Sequence, residues 1–453
     1  MKVHFIAIGG SAMHNLAIAL QKKDYIVTGS DDQIFEPAKS NLARYNLLPK
    51  KIGWDENKIT PDIDAVILGM HAREDNIELI KARELNLKIF SYPEYIYEQS
   101  KDKIRVVIGG SHGKTTITSM IIHVLNYHKI NFDYMVGAQI DGFDTMVSLT
   151  KKAKYIIIEG DEYLSSTLDK RPKFHLYKPH IAVVSGIAWD HINVFPTFEN
   201  YIEQFKIFAS LIEPSGSFIY NEEDTELQSI AKELRHDIKK HAYTTHPYEI
   251  IDNITYLTNN NNVPLEIFGD HNLQNISAAK LVCKQLSISD KQFYDAISSF
   301  KGASKRLQLI NKNDKTSVFL DFAHSPSKLK ATIDAVKKQF PNRKLIACLE
   351  LHTFSSLKKE FMVQYDGTMK NADKAFIYFN YDTIDHKNLK KFSKKYVAKC
   401  FGGNNIKVIS DPKFFLKKLL SINWDNKNLL LMSSGNFSGI DFLEFSNKII
   451  NKS

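Results

Sequence analysis

The chain reads as an α/β protein built on parallel sheets, and three observations predict it. Its 453 residues exceed one ordinary core and fit about three domains of ~150 residues each. Short apolar runs alternate with amphipathic helical stretches along the whole length, without the fixed period of a solenoid. Glycine turns at Gly9–Gly10 and Gly109–Gly110 directly follow apolar runs and open helical ones, the order that parallel strand and crossover helix require.

In the first block, Val3 to Ile8, Ile26 to Gly29, Ala65 to Leu68 and Lys88 to Phe90 are continuous apolar runs, as strands buried on both faces should be. The lysine-rich stretch Ser100 to Lys103 reads as a linker. The second block opens with Ile104 to Gly109 as a strand, continues through Tyr155 to Glu159 and Ile181 to Val184, and ends near Phe300. Within it the polar Asn259 to Asn262 separates two strand-like runs, Ile250 to Leu257 and Val263 to Phe268, and predicts a hairpin. A third strand and helix series runs from Ser317 to the end through Lys344 to Leu349, Ala375 to Phe379 and Leu429 to Met432, and predicts a third parallel sheet.

Hydrophobic residues at 43% and charged residues at 25% are average for a globular chain and exclude disordered and fibrous classes. The three cysteines, Cys283, Cys348 and Cys400, are odd in number and far apart, which argues against a disulfide framework and for a reducing cytoplasm. No apolar run approaches the ~20 residues of a membrane span, and the start MKVHFIAIGG runs into a glycine turn without a signal-peptide layout. The formal charge of +9 is spread over loops and helix faces with no compact basic block, so it reads as a basic surface that attracts phosphorylated substrates and not as a nucleic-acid site.

The first chemical signal is Gly110-Ser111-His112-Gly113-Lys114-Thr115-Thr116, placed after a strand and opening the helical run Ile117 to Leu125. Backbone N–H groups of such a turn and the helix N-terminus converge on phosphate oxygens, lysine adds a mobile charge, and a threonine hydroxyl suits magnesium. Ile108 stands where the general motif has glycine, so the loop is a shortened one that still predicts bound ATP. Glu159, Asp161 and Glu162 follow the next long apolar strand, and Asp190 and His191 follow Ile181 to Val184. In an open α/β sheet these strand ends share one crevice with the phosphate loop, where hard ligands would meet around Mg2+. Taken alone, Asp190 and His191 read as a helix cap and a surface histidine.

The first block carries its own nucleotide-binding turn. Gly9, Gly10, Ser11 and Met13 follow one strand, and Ser30, Asp31 and Asp32 follow the next, the layout that binds a diphosphate and a ribose. Ala7 and Ala12 stand where a dinucleotide fingerprint has glycines.

Taken together, Gly110 to Thr116, Glu159 to Tyr163, Asp190-His191, Gly269-Asp270-His271-Asn272-Leu273-Gln274-Asn275 and Gly302 through Arg306 to Gln308 resemble, in order, the motifs of the Mur ligases of peptidoglycan synthesis. The resemblance covers nearly the whole chain. It implies a Rossmann-like domain over residues 1–99 that binds the UDP-sugar, a central phosphate-loop ATPase domain over 100–303, and a Rossmann-like domain over 304–453 that binds the amine. It further implies ATP and Mg2+ as cofactors, with Lys114 on the β and γ phosphates and Thr115, Glu159 and His191 around the metal. Lys114, Glu159 and His191 become the catalytic set. His271, Asn272 and Asn275 would lie at the adenine, and Arg306 and Asp321 would reach the nucleotide from the far side. The first-block turn, Gly9, Gly10, Ser11, Met13, Ser30 and Asp31, would take UDP where a dinucleotide is the other reading. His271 and Asn275 read equally as a helix start capped by Asp270. Lys206, at the place of a carbamylated lysine in some members, reads more simply as an amphipathic-helix lysine.

Leu168 to Phe174, Phe322 to Pro326, Glu350 to Phe354 and Ser433 to Gly439 resemble the murein-tripeptide recycling branch more than the L-alanine-adding one, although Gly160, Gly186 and Ser325 depart from it. That branch implies an ADP-forming ligase joining UDP-N-acetylmuramate to L-alanyl-γ-D-glutamyl-meso-diaminopimelate, with Asp169, Lys170 and Arg171 near the amine. Without the resemblance these three read as a solvated charged loop. The alternatives are the L-alanine ligase of peptidoglycan biosynthesis, a folate polyglutamate ligase and a degenerate nucleotide-binding paralogue. The implied setting is cytoplasmic cell-wall synthesis and recycling, by a monomer or weak homodimer without nucleic-acid or membrane partners. His191, His112 and Asp190 are unranked candidates for the base that frees the attacking amine.

Overall fold

A computed structural model describes residues 1–70, 72–138, 140, 142–189, 194–258, 262–402 and 405–451. The chain forms two compact units, one of Met1–His246 with Gln274–Ile297, the other of Pro247–Leu273 with Ser298–Ser453.

In the first unit, β1 (Lys2–Ile6), β2 (Ile26–Ser30), β3 (Ala65–Leu68) and β4 (Ile89–Ser91) make a wholly parallel sheet in the order β2-β1-β3-β4. The inner strand β3 is buried at every residue, whereas the edge strand β2 alternates and leaves Ile26 exposed. The strand expected over Val3 to Ile8 stops at Ile6, because Ala7 turns the chain at φ +68°. The helix Ser11–Lys22 then buries every residue from Met13 to Leu20.

The stretch Ser100 to Lys103 is not a loose linker. Ser100 Oγ donates to Ile96 O at 2.7 Å, and the buried Lys103 ammonium pairs with Asp133 at 3.0 Å and donates to the Thr150 and Ala153 carbonyls. Its lysine-rich composition reads as a linker, but Lys103 is consumed by a buried charge pair that sequence spacing does not display.

The central sheet comprises β5 (Ile104–Gly109), β6 (Phe132–Met135), β7 (Val147–Ser148), β8 (Tyr155–Glu159), β9 (Ile181–Val184), β10 (Ser217–Asn221) and β11 (Lys239–Tyr243). Their order is β11-β10-β9-β5-β8-β6-β7, parallel except for the short β7. Register puts Ile108 beside Glu159 and Gly109 beside Val184, so the phosphate loop leaves the sheet level with the ends of β8 and β9.

In the second unit, the run Ile250 to Leu257 is not one strand. It divides into β12 (Tyr248–Ile251) and β13 (Ile254–Leu257) around Asp252 and Asn253, both at positive φ, the two-residue hairpin geometry that, glycine aside, Asp and Asn tolerate best. The pairing of β13 with β14 (Val263–Leu265) is antiparallel as predicted. The third sheet contains β15 (Gln308–Lys312), β16 (Ser317–Asp321), β17 (Lys344–Glu350), β18 (Lys374–Tyr378), β19 (Ile406–Ile409) and β20 (Lys427–Met432), in the order β15-β16-β20-β17-β18-β19. It is parallel except for β15, an antiparallel edge strand whose polar sequence QLINK concealed it. Residues of β17 alternate between two cores on opposite faces of the sheet, Ala347 and Leu349 on one side and Ile346 and Cys348 on the other. Cys283, Cys348 and Cys400 are buried free thiols. Among the described residues no helix is long and apolar enough to cross a membrane.

Candidate active site

Gly110 and Gly113 shape the phosphate loop, both at positive φ (+126° and +76°), and Gly113 caps the helix Lys114–Tyr127. Neither position has room for a side chain: a Cβ on Gly110 would lie 2.2 Å from Ser185 Oγ, and one on Gly113 would lie 2.5 Å from Asn275 Oδ1. The loop is tied to the end of β9, with Ser111 N donating to Gly186 O at 2.9 Å and Ser185 N to Gly109 O at 3.2 Å. Lys114 Nζ donates to Gly110 O and to Glu162 Oε2, both at 2.6 Å. Burial alone would lower the Lys114 pKa, but Glu162, Asp161 and Glu159 outweigh it and hold the ammonium above the ordinary lysine value.

The strand-end acids have separate tasks. Glu159 takes the Thr115 hydroxyl on Oε1 at 2.7 Å and the Gly137 N–H on Oε2 at 2.8 Å. Glu162 takes Lys114 on one oxygen and the Tyr201 hydroxyl on the other, at 3.2 Å. Asp161 pairs with Lys173 at 2.6 Å. Tyr201 is wholly buried and its oxygen lies 2.9 Å from Ser111 Oγ, which also accepts the Ala188 N–H at 2.9 Å. With Tyr201 donating to Glu162, Ser111 donates to Tyr201, so one directed chain of hydrogen bonds links the loop to the acid that holds Lys114. Asp190 and His191 lie outside the described residues.

Of the remaining nucleotide candidates, Asn275 is buried against Gly113. In the second unit, His271 is exposed, Asn272 donates to Phe268 O at 2.9 Å, and the Asp270 carboxylate receives Tyr248 and Lys338. Arg306 stacks on Phe322 at 5.0 Å, and the carboxylate of buried Asp321 accepts the Leu307 and Ala323 N–H groups at 2.5 and 2.6 Å. Burial raises the Asp321 pKa, and those two amides offset it only in part.

At the first-block turn, Ala7 adopts the left-handed conformation that a glycine would take there, at φ +68°. Asp31 reaches back so that Gly9 N donates to its Oδ2 at 2.7 Å, and Lys58 Nζ donates to Ser30 Oγ at 2.8 Å. Met13 is buried beneath the turn, whereas Ser11 is exposed. Burial raises the Asp31 pKa against the Gly9 and Gln33 amides. Arg171 pairs with Asp169 at 2.7 Å and with Glu94 at 3.0 Å, while Lys170 is exposed. Lys206 pairs with Glu233 at 3.1 Å, the ordinary surface use of a helix lysine.

Three family models match in sequence order. They are "Mur ligase family, catalytic domain" over residues 2–103, "Mur ligase middle domain" over 108–283, and "Mur ligase, glutamate ligase domain" over 305–435. The chain is 32% identical over 390 residues to the UDP-N-acetylmuramate–L-alanine ligase of Caldicellulosiruptor bescii, covering 83% of each chain. The chain belongs to the Mur ligase family. As a Mur ligase it is an ATP-dependent, ADP-forming amide ligase. Its fold matches a murein peptide ligase from Psychrobacter arcticus (TM-score 0.62, 22% identity, 100% of this chain and 99% of that one). It also matches the UDP-N-acetylmuramate-alanine ligase of Thermotoga maritima (TM-score 0.69, 18% identity, 100% and 98%).

The Mur ligase loop suits the groups its family implies. The left-handed turns at Gly110 and Gly113 and the N-terminus of the helix Lys114–Tyr127 make a loop of the kind that meets a triphosphate, and the Thr115 hydroxyl and Glu159 carboxylate supply adjacent hard oxygens of the kind magnesium prefers. Among the described residues no cluster of three His, Cys, Asp or Glu side chains forms a complete metal site. Glu162 entered the sequence reading only as part of an acidic cluster, and Tyr201 not at all. Tyr201 lies on an amphipathic helix among Phe195 and Phe205, so its spacing signals core alone, and only the Ser111 contact exposes its second task.

Proposed function

We propose that this Mur ligase joins UDP-N-acetylmuramate to L-alanyl-γ-D-glutamyl-meso-diaminopimelate, with residues 1–99, 100–303 and 304–453 serving the UDP-sugar, ATP and the amine. The observation that carries the ligase chemistry is the seat of Lys114, between Gly110 O and Glu162 and next to the Thr115–Glu159 pair. The tripeptide reading is supported by the segments Leu168 to Phe174, Phe322 to Pro326, Glu350 to Phe354 and Ser433 to Gly439. A second reading, L-alanine as the amine, is favoured by the C. bescii relative's name.

In this reading the muramyl carboxylate attacks the γ-phosphorus of ATP, ADP leaves, and the resulting acyl phosphate is attacked at carbon by the amine with loss of phosphate. Lys114 neutralises charge on the transferred group, and the loop amides orient it. Magnesium held by Thr115, Glu159 and His191 would supply further positive charge at the phosphates. The Gly9 to Met13 turn with Ser30 and Asp31 orients the UDP-sugar, and Asn275, His271, Asn272, Arg306 and Asp321 serve the nucleotide. In this reading the enzyme works in the cytoplasm.

The test is phosphate release from ATP by the purified protein with UDP-N-acetylmuramate and either amine. Tripeptide-dependent turnover abolished by Lys114→Ala supports the proposal. Turnover with L-alanine alone selects the second reading.

A further inference from the structure

The second unit holds a buried carboxylate that, among the described residues, meets no lysine or arginine. Glu350 ends β17, and its side chain is 5% exposed. One oxygen, Oε2, receives the Ser433 hydroxyl and the Phe437 N–H, the latter at 2.8 Å. The other, Oε1, has the His352 Nδ1 at 3.8 Å, beyond hydrogen-bond reach. Among the described residues no lysine or arginine pairs with Glu350, although the chain carries 60 of them. A buried carboxylate that no lysine or arginine meets is a candidate binding point for a cation from outside.

Its place in the sheet is a ligand-binding place. β17 and β20 are parallel neighbours with Leu349 beside Met432. The chain leaving β17 packs Leu357, Met362 and Tyr365 onto one face of the sheet, and the chain leaving β20 packs Phe437, Phe445 and Ile449 onto the other. Neighbouring strands whose chains depart to opposite faces leave a crevice at their carboxyl ends. The loop after β20 fits closely around the acid. A Cβ on Gly435 would lie 2.8 Å from Glu350 Oε2 and 2.9 Å from His352 Nδ1, and Ser438 is held by the Tyr378 hydroxyl at 2.7 Å. Between Ser433 and Gly435, the Ser434 hydroxyl is buried without a hydrogen-bond partner among the described residues.

We propose that Glu350, with His352 beside it, binds the primary ammonium of the amine substrate through Oε1. The proposal rests on the ligase reading above and names a residue for its amine site. Two ammonium groups have this chemistry, the one destined to attack and the distal one of diaminopimelate.

Glu350→Gln separates the binding role from a structural one, because its amide oxygen still accepts from Ser433 and Phe437 while the charge is lost. Phosphate release is measured with L-alanine, L-alanyl-γ-D-glutamate and the diaminopimelate tripeptide. The expected result is a KM for the amine raised roughly 30-fold, with KM for ATP and for UDP-N-acetylmuramate within about two-fold of wild type. Gly435→Ala, which crowds the same carboxylate, should give the same selective rise. A rise for the tripeptide alone assigns the distal ammonium, and a rise for every amine assigns the attacking one. An active wild type whose amine KM is unchanged in both variants overturns this proposal and leaves the ligase reading standing. A wild type silent with all three amines removes the ligase reading and this proposal with it.

Discussion

Glu162 receives the Lys114 ammonium on one carboxylate oxygen at 2.6 Å and the Tyr201 hydroxyl on the other at 3.2 Å. The lysine that serves phosphate is thereby held by an acid whose second oxygen is bonded, through Tyr201, to Ser111 of the phosphate loop itself. Position of the charge and shape of the loop are coupled through one side chain.

Replacing Glu162 with Gln removes the strongest support for the raised Lys114 pKa. A raised lysine stays protonated to higher pH, so losing the acid lets it deprotonate sooner. The alkaline limb of the kcat/KM profile for ATP should move to lower pH in Glu162→Gln, with kcat at neutral pH falling about ten-fold or more. A pH-rate series checks this, and an unmoved alkaline limb would contradict it.

Tyr201→Phe keeps the ring packed on Phe195 and Phe205 but removes the hydroxyl that bonds Ser111 Oγ and one Glu162 oxygen. Stability should fall by about 1–3 kcal/mol, as for a buried group losing its partner. A double-mutant cycle with Glu162→Gln should be non-additive by about 0.5 kcal/mol or more in denaturant unfolding. Simple additivity would mean that the chain of hydrogen bonds is not a unit.

Gly113→Ala should lower nucleotide affinity by about ten-fold or more, since the residue has φ +76° and the new Cβ would lie 2.5 Å from Asn275 Oδ1. Adding Asn275→Ala removes the collision but leaves the backbone strain and takes away a side chain assigned to the nucleotide. Titration of ATP binding should therefore recover only part of the loss, and full recovery would show that strain contributes nothing.

Asp321 gives stability a sign against pH. Its folded pKa is raised by burial, so the folded state binds this proton more tightly than the unfolded chain does. The stabilising contribution is complete below the ordinary value of 3.8 and is lost as pH rises through the raised value. The difference in unfolding free energy between wild type and Asp321→Asn should accordingly shift against wild type as pH rises above 3.8. A pH-independent difference would contradict the assignment.

Much of the fold was legible because its signals are local. Four-residue apolar runs such as Ala65 to Leu68 fill buried strands, and glycine turns mark where strands give way to helices. The failures were also physical. Ile250 to Leu257 has the composition of one strand, yet Asp252 and Asn253 turn it, and the polar β15 is a strand only because β16 offers it an edge.

By itself the sequence determined the α/β class, the phosphate loop Gly110 to Thr116 and the acid-bearing strand end at Glu159, because backbone conformation and strand periodicity depend on near neighbours. Only the tertiary structure decided that Glu162 holds Lys114, that Tyr201 bonds Ser111, that Asn275 presses on Gly113 and that Glu350, among the described residues, lies buried without a lysine or arginine. Those relationships join residues distant in sequence, and hydrogen bonding, burial and the lack of a counter-charge belong to the space between side chains, which has no signature along the chain.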